Sequence, residues 1–312
     1  MPLKRSVLQR VFNRYFRWRL PELLAPAFPI ILDYVDFPIA SPTPRYGFGK
    51  PPHARLYDII NAGRSRYADQ LRDLCRYRDF FRRIPVTEQA GGSGPYWENT
   101  YFSDLDAMAL YGMLADRNPR LYVEVGSGNS TKFARRAIKE QKLRTRLISI
   151  DPMPRGEISD ICDEVIKLPF QELDLSVLKE LDAGDFLFID NSHLAMTNSD
   201  VTTFFLDVYP GLKSKVILHL HDILLPYDYP PQWSHRYYSE QYLLACYLLA
   251  TPEALLPRIL LANAFISQDS ELNMLAAAVC EGTDLDATFE RSQPARHWSP
   301  PHRGLSIWME TN

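Results

Sequence analysis

One stretch constrains the fold more than any other, Leu121-Tyr-Val-Glu-Val-Gly-Ser-Gly-Asn-Ser-Thr131. Leu121, Val123 and Val125 supply a buried strand, and Gly126 and Gly128 a tight turn. Ser130 or Thr131 can cap a helix continuing through Phe133, Ala134, Ala137 and Ile138. Glycine belongs where backbone bends sharply or lies close to a ligand. A strand, a glycine turn and a helix N-terminus make a crevice for nucleotide-like ligands in an open α/β sheet. A dinucleotide fingerprint would place a small residue at the sixth position of the turn. Thr131 stands there, which speaks against a NAD-binding dehydrogenase.

From residue 120 onward strand and helix patterns alternate. The patterns predict strands at 121–125, 146–150, 164–168, 185–190, 215–221, 258–266 and 305–309. Helices are expected near 103–115, 130–140, 157–162, 174–181, 198–208 and 240–250. Such βαβ units imply an α/β, doubly wound, Rossmann-like sheet of seven mainly parallel strands with helices on both faces. Residues 96–312 form the binding domain in this reading, and residues 1–95 a helical N-terminal extension.

Within the extension, residues 1–20 carry Lys4, Arg5, Arg10, Arg14, Arg17 and Arg19 and no acid, with apolar residues at helical spacing. A helix packed on the domain or on a partner subunit is the first reading; membrane-surface contact or an organelle transit peptide has similar chemistry. Residues 21–55 are proline-rich and residues 56–84 helical in pattern. With 312 residues, 23% charged and a net charge of -3, the chain argues against a dedicated nucleic-acid binder. Its four cysteines are scattered without a C-x-x-C pair, so neither a zinc knuckle nor a disulfide framework is indicated, and a cytoplasmic location is the default. No apolar run reaches the roughly 20 residues of a transmembrane helix.

In a doubly wound sheet, ligands bind outside the carboxyl ends of the strands. Those ends carry Glu124 and the turn Gly126, Ser127, Gly128, Asn129 and Ser130; then Asp151; then Asp190, Asn191 and His193; then His221 and Asp222. Asp151 is spaced from the glycine turn as an acid bonding ribose hydroxyls would be, and a carboxylate accepts two such bonds. Pro152 and Met153 would pack on adenine. His219 and His221, two apart on a strand, face one side. Asp190, His193, His221 and Asp222 could hold a divalent metal or iron, or His221, with His193 and Asp222, could act as a metal-free general base. Ahead of the glycine strand, Trp97, Asn99 and Tyr101 are candidates for the substrate pocket or for plain anchors. The aromatic loop after Asp222 adds Tyr227 and Trp233.

Glu124-Val-Gly-Ser-Gly-Asn-Ser-Thr131, Ser149-Ile-Asp-Pro152, Phe188-Ile-Asp-Asn-Ser-His193 and His221-Asp-Ile223 together resemble a class I S-adenosylmethionine (SAM) methyltransferase. They resemble more narrowly a bacterial branch of the methyltransferase 24 type. Trp97-Glu-Asn99, His221 to Pro226, Glu240 to Leu244 and Ser306-Ile-Trp308 extend the likeness. The resemblance implies SAM as cofactor, with Glu124 near its methionine end, the turn and Asp190 lining the site, and Asp151 on the ribose. It also implies a comparison with catechol O-methyltransferase-like enzymes, whose divalent cation sits at positions matching Asp190 and, with a histidine substituted, His221-Asp222. O- or N-methylation of a small molecule is the expected reaction, in a chain that leaves homo-oligomers open. A metal-dependent hydroxylase on the same fold and a non-catalytic SAM-binding protein are the alternatives.

Overall fold

The computed structural model describes residues 43–89, 94–99, 101–283 and 303–312. The basic segment 1–20 and most of the proline-rich segment lie outside them. Residues Pro44–Asn312 form one compact unit. It opens with helices α1 (Ala54–Asn61) and α2 (Arg64–Leu74) and reaches the long helix α3 (Asp104–Arg117). The sheet then alternates β1 (Leu121–Val125), α4 (Asn129–Glu140), β2 (Arg146–Ile150), β3 (Glu164–Ile166), β4 (Phe186–Ile189) and β5 (Ile217–Leu220). Helix α5 (Glu240–Ala250), strand β6 (Arg258–Ala262), helices α6 (Asn263–Gln268) and α7 (Ser270–Cys280), and strand β7 (Ile307–Glu310) complete it.

The seven strands lie in the order β3-β2-β1-β4-β5-β7-β6. All neighbours run parallel except β7, which is antiparallel to both β5 and β6. β1, β4 and β5 are buried along their whole length, as strands covered on both faces must be. Inserted β7 carries Trp308, fully buried and stacked on His219 with centroids 3.7 Å apart. Both nitrogens of His219 lack a hydrogen-bond partner, and burial holds its pKa well below the ordinary histidine value, so the ring is neutral core.

Helix α3 is buried from Leu105 to Leu114 and packs against α4. Gly112 lets α2 approach, because a Cβ there would overlap the Leu74 side chain. This helix fills the place expected of the segment before the glycine strand.

Several elements are shorter than the sequence predicts. The sixth strand stops at Ala262, four residues before its expected end. Ile307 is the first ladder partner on β7; past it Asn263 N still donates to Ser306 O, but its side chain turns to Asp106 and residues 263–266 leave the ladder. They form α6 instead. The fifth strand spans only Ile217–Leu220, because Lys215 and Asp222 at its two ends adopt left-handed backbone, with φ 64° and 52°. The expected helix at 198–208 is one α turn, Asp200–Thr203, continued as a π turn through Val208. The helices expected near 157–162 and 174–181 are a single turn at Gly156–Ser159 and a 3₁₀ segment at Leu175–Glu180.

Candidate active site

Backbone hydrogen bonds run past the strand ends and set the rim. Gly126 N donates to Ile150 O, Asp151 N to Ile166 O, Asp190 N to Val125 O and His221 N to Ile189 O. The chemistry-bearing residues of β1, β2, β4 and β5 are thereby placed side by side at one edge.

The glycine turn is built from below by Glu124. Its fully buried carboxyl group takes hydrogen bonds from Thr131 Oγ1 and Tyr122 OH, with Ser130 Oγ at 3.4 Å. Thr131 Oγ1 also accepts from Gly128 N at 2.9 Å. Burial pushes the Glu124 carboxyl up to about 8, against the lowering pull of these hydroxyls. It therefore braces the turn from beneath, while Ser127, Gly128, Asn129 and Ser130 face the cleft above it. Gly126 has φ 80°, and a Cβ on it would overlap the carbonyl oxygen of Asp190. A Cβ on Gly128 would meet nothing within 4 Å, because that residue borders open space.

Asp151 secures the same turn from the second strand. Its Oδ2 accepts from Ser127 N at 3.0 Å and Ser127 Oγ at 2.6 Å, and its Oδ1 from Met153 N at 2.8 Å. Pro152 is exposed and Met153 is 87% exposed, both on the open side of the rim.

Behind the cleft, acids and imidazoles alternate. Asp190 Oδ1 lies 3.3 Å from His221 Nδ1 and 3.4 Å from His193 Nε2. Asp222 closes the ring, with Oδ1 3.6 Å from His221 Nδ1 and Oδ2 3.5 Å from His193 Nε2. Outside the ring, Glu240 Oε2 meets His193 Nδ1 at 2.8 Å, and Asp106 Oδ2 lies 3.7 Å from His221 Nε2. Burial alone would strip the protons from both histidines. The surrounding acids outweigh it: Asp190, Glu240 and Asp222 around His193, and Asp190, Asp222 and Asp106 around His221. Both are held well above the ordinary histidine value. The same contacts overcome the effect of burial on Asp190, with His221 and His193 keeping its carboxyl well below the usual range. Asp190 is the ring's window to solvent, with its side chain 34% exposed, whereas both histidines are buried.

The cleft in front of the ring encloses about 150 Å³ and is lined by Tyr101, Phe102, the turn Ser127–Ser130, Arg155 and Asp190. Residues 123–223, from β1 to just past β5, match the family model of a methyltransferase domain. This stretch is a methyltransferase domain.

Together with the strand order, it gives the chain a methyltransferase domain within a class I methyltransferase fold. Similar solved structures include the methyltransferase PaMTH1 of Podospora anserina bound to S-adenosylhomocysteine (SAH). It is 12% identical with a TM-score of 0.34, over 69% of this chain and 93% of that one. The plantazolicin methyltransferase BpumL bound to SAH is 11% identical with a TM-score of 0.34, over 83% of this chain and 90% of that one. The same enzyme with a pentazolic desmethylPZN analog and SAH aligns at 13% identity and a TM-score of 0.34, over 83% and 89%. No curated protein matches the chain.

The expected site residues part into two groups. Ser127, Gly128, Asn129, Ser130, Tyr101 and Asp190 line the cleft, and His193, His221 and Asp222 stand directly behind Asp190. Trp97 is core: only 5% exposed, it packs between Phe81 and Phe133. Asn99 is buried beneath the turn, where its Oδ1 accepts from Phe102 N and Asn129 Nδ2. Tyr227 packs on the Gly47 turn, away from the rim. Trp233 contributes indirectly, through Tyr238, whose ring lies 5.5 Å from Trp233 and 4.5 Å from His193. The four residues considered as metal ligands do meet, but as facing acid–imidazole pairs. Among the described residues no three His, Cys, Asp or Glu side chains form a group that could hold a metal ion. As arranged, this donor set does not fit a metal, and no step is derived through one.

Three residues escape a reading of the sequence. Arg155 lines the cleft from the loop after β2. Asp106 is fully buried and accepts from Ser103 Oγ, Asn263 Nδ2, Leu305 N and Ser306 N. Its one sequence signal is an acid on the inner face of the otherwise apolar run Leu105–Leu114. Glu240 carries a similar signal, an acid at the head of the apolar helix α5. No helix among the described residues is long and apolar enough to cross a membrane.

Proposed function

We propose that this methyltransferase moves the SAM methyl group to a hydroxyl or amine of a small-molecule acceptor. The observation that carries the reading is the shared position of Asp190, which lines the cleft on one side and meets His193 and His221 on the other. The turn Ser127–Ser130 leaves the N–H groups of Asn129 and Ser130 at the start of α4 for the polar end of the cofactor, since those of Ser127 and Gly128 are taken by Asp151 and Thr131. Asp151, which also holds Ser127, would bond the ribose hydroxyls, and Pro152 and Met153 would pack on the adenine. Tyr101 and Phe102 would border the reacting centre.

Methyl transfer needs little from a protein beyond alignment and a sink for one proton. The acceptor's lone pair attacks the methyl carbon, the carbon–sulfur bond breaks, and its electron pair stays on sulfur, giving SAH. The acceptor proton enters the ring of Asp190, His193, His221 and Asp222, which titrates as a coupled unit. BpumL is described as binding a pentazolic desmethylPZN analog; a small heteroaromatic acceptor is one class to test in this aromatic-bordered cleft.

Calorimetric titration with SAH tests the reading. Binding in the micromolar range supports it, and no binding overturns it. Repetition after chelation tests the metal-assisted variant, which requires binding or turnover to change.

A further inference from the structure

His193 is held more tightly than its place in a loop requires. Its backbone is left-handed, φ 59°, a conformation costly for a residue with a side chain. Its carbonyl oxygen accepts from Ser239 N at 2.8 Å and Glu240 N at 3.2 Å, both at the head of α5. Its own N–H donates to Asn191 Oδ1 at 2.9 Å, and Asn191 Nδ2 donates to Glu240 Oε1 at 3.2 Å. The remaining Glu240 oxygen meets the ring at Nδ1, at 2.8 Å. Backbone and ring are therefore fixed by one helix terminus. That terminus lies outside the matched domain at residues 123–223.

A buried carboxylate is costly unless its oxygens are satisfied. Glu240 is fully buried, and its side chain meets His193 and Asn191 rather than any lysine or arginine. For anchoring a helix alone, an apolar side chain would serve at lower cost. What an acid uniquely supplies here is an anchor for the Nδ1 proton. The other nitrogen, Nε2, stands 3.4 Å from Asp190 and 3.5 Å from Asp222, beyond good hydrogen-bond distance. Nδ1 is thus engaged and Nε2 is aimed at the window residue of the cleft. A carboxylate that grips one imidazole nitrogen sets the orientation of the other.

We propose that Glu240 is a positioning residue of the methyl-transfer site, holding His193 by Nδ1 so that its Nε2–H faces Asp190 and sets that carboxylate at the cleft to take up the acceptor's proton. This rests on the methyltransferase reading above. In the balanced step, the acceptor's oxygen or nitrogen bonds the methyl carbon as the carbon–sulfur bond breaks, the acceptor's proton passes to the Asp190 carboxylate, and SAH leaves with the sulfur lone pair. Glu240 touches neither substrate nor cofactor and acts only through His193.

The test uses the full chain with SAH bound. Long-range ¹H–¹⁵N spectra, with the His193 signals assigned by loss in His193→Asn, are expected to show a downfield Nδ1 proton that Glu240→Gln removes and Glu240→Asp retains. Turnover of phenol and benzylamine as probe acceptors should fall about 10–100-fold in Glu240→Gln, recover in part in Glu240→Asp, and leave SAH affinity within about twofold. An unprotonated Nδ1 in the wild-type protein overturns the assignment without any variant, as does a Glu240→Gln spectrum identical to wild type. If Glu240→Gln fails to fold, the wild-type spectrum decides. Failure of SAH to bind the wild-type protein breaks the methyltransferase reading instead, and leaves the His193–Glu240 contact to be judged by its own signal.

Discussion

Gly126 presses against the carbonyl oxygen of Asp190, so closely that no Cβ fits between them. The contact brings the end of β1 onto the end of β4 and so sets the distance from the turn to the acid–imidazole ring. Gly126→Ala adds a clash to a left-handed backbone, φ 80°, and should cost roughly 2–4 kcal/mol in urea unfolding. Gly128→Ala meets nothing and should leave stability within about 0.5 kcal/mol while weakening SAH binding, because its methyl group enters the cleft. Equal effects of the two on stability would contradict this division of labour.

Glu124 gives a pH signature. In the folded protein its carboxyl is pushed up to about 8, above the ordinary 4.5, so the native state holds the proton more tightly than the unfolded chain. Its contribution is therefore full below about pH 4.5 and is lost as pH rises through about 8. Glu124→Gln cannot lose that proton. Its stability relative to wild type should grow by up to a few kcal/mol between pH 5 and 9. Urea midpoints measured across that range check it; a constant difference would mean that Glu124 stays ionised beneath the turn.

The local patterns were legible in the sequence: the strand–glycine–helix stretch, the alternation after residue 120 and the polar residues at strand ends. Each is set by residues near one another in the chain. Trp97 was ambiguous because only the position of Phe81 and Phe133 around it decides between pocket and core. Asp106 was invisible because three of its four donors come from residues 263–306, more than 150 positions away. The sixth strand reads longer in the sequence than it is because its apolar pattern continues past Ala262, while its partner strand does not.

Trp97 and Tyr101 should separate cleanly. Trp97 is packed in aromatic core, so Trp97→Ala should cost about 3–5 kcal/mol, with SAH binding recovered at temperatures where the variant stays folded. Tyr101 is 71% exposed at the cleft mouth, so Tyr101→Ala should leave stability within about 0.5 kcal/mol and act on ligand binding instead. Thermal melts paired with SAH titrations distinguish the two; a large loss of stability in Tyr101→Ala would place it in the packing.

Asp151 and Ser127 make the last prediction. One carboxylate oxygen holds both the backbone N–H and the hydroxyl of Ser127, so the turn that lines the cleft depends on an acid from the next strand. Ser127→Ala keeps the backbone bond and loses only the 2.6 Å hydroxyl bond. It should reduce SAH affinity by no more than about tenfold, the equivalent of about 1.4 kcal/mol. Asp151→Ala loses both bonds to the turn together with the proposed ribose contact, and should cost well over tenfold. Asp151→Asn discriminates the two roles of the acid: its amide oxygen can still accept from Ser127, while its NH₂ group donates and replaces one acceptor offered to the ribose diol. Turn geometry alone predicts that Asp151→Asn binds SAH like wild type. The ribose role predicts an affinity nearer that of Asp151→Ala, with stability lowered by no more than about 1 kcal/mol for the lost Met153 N bond.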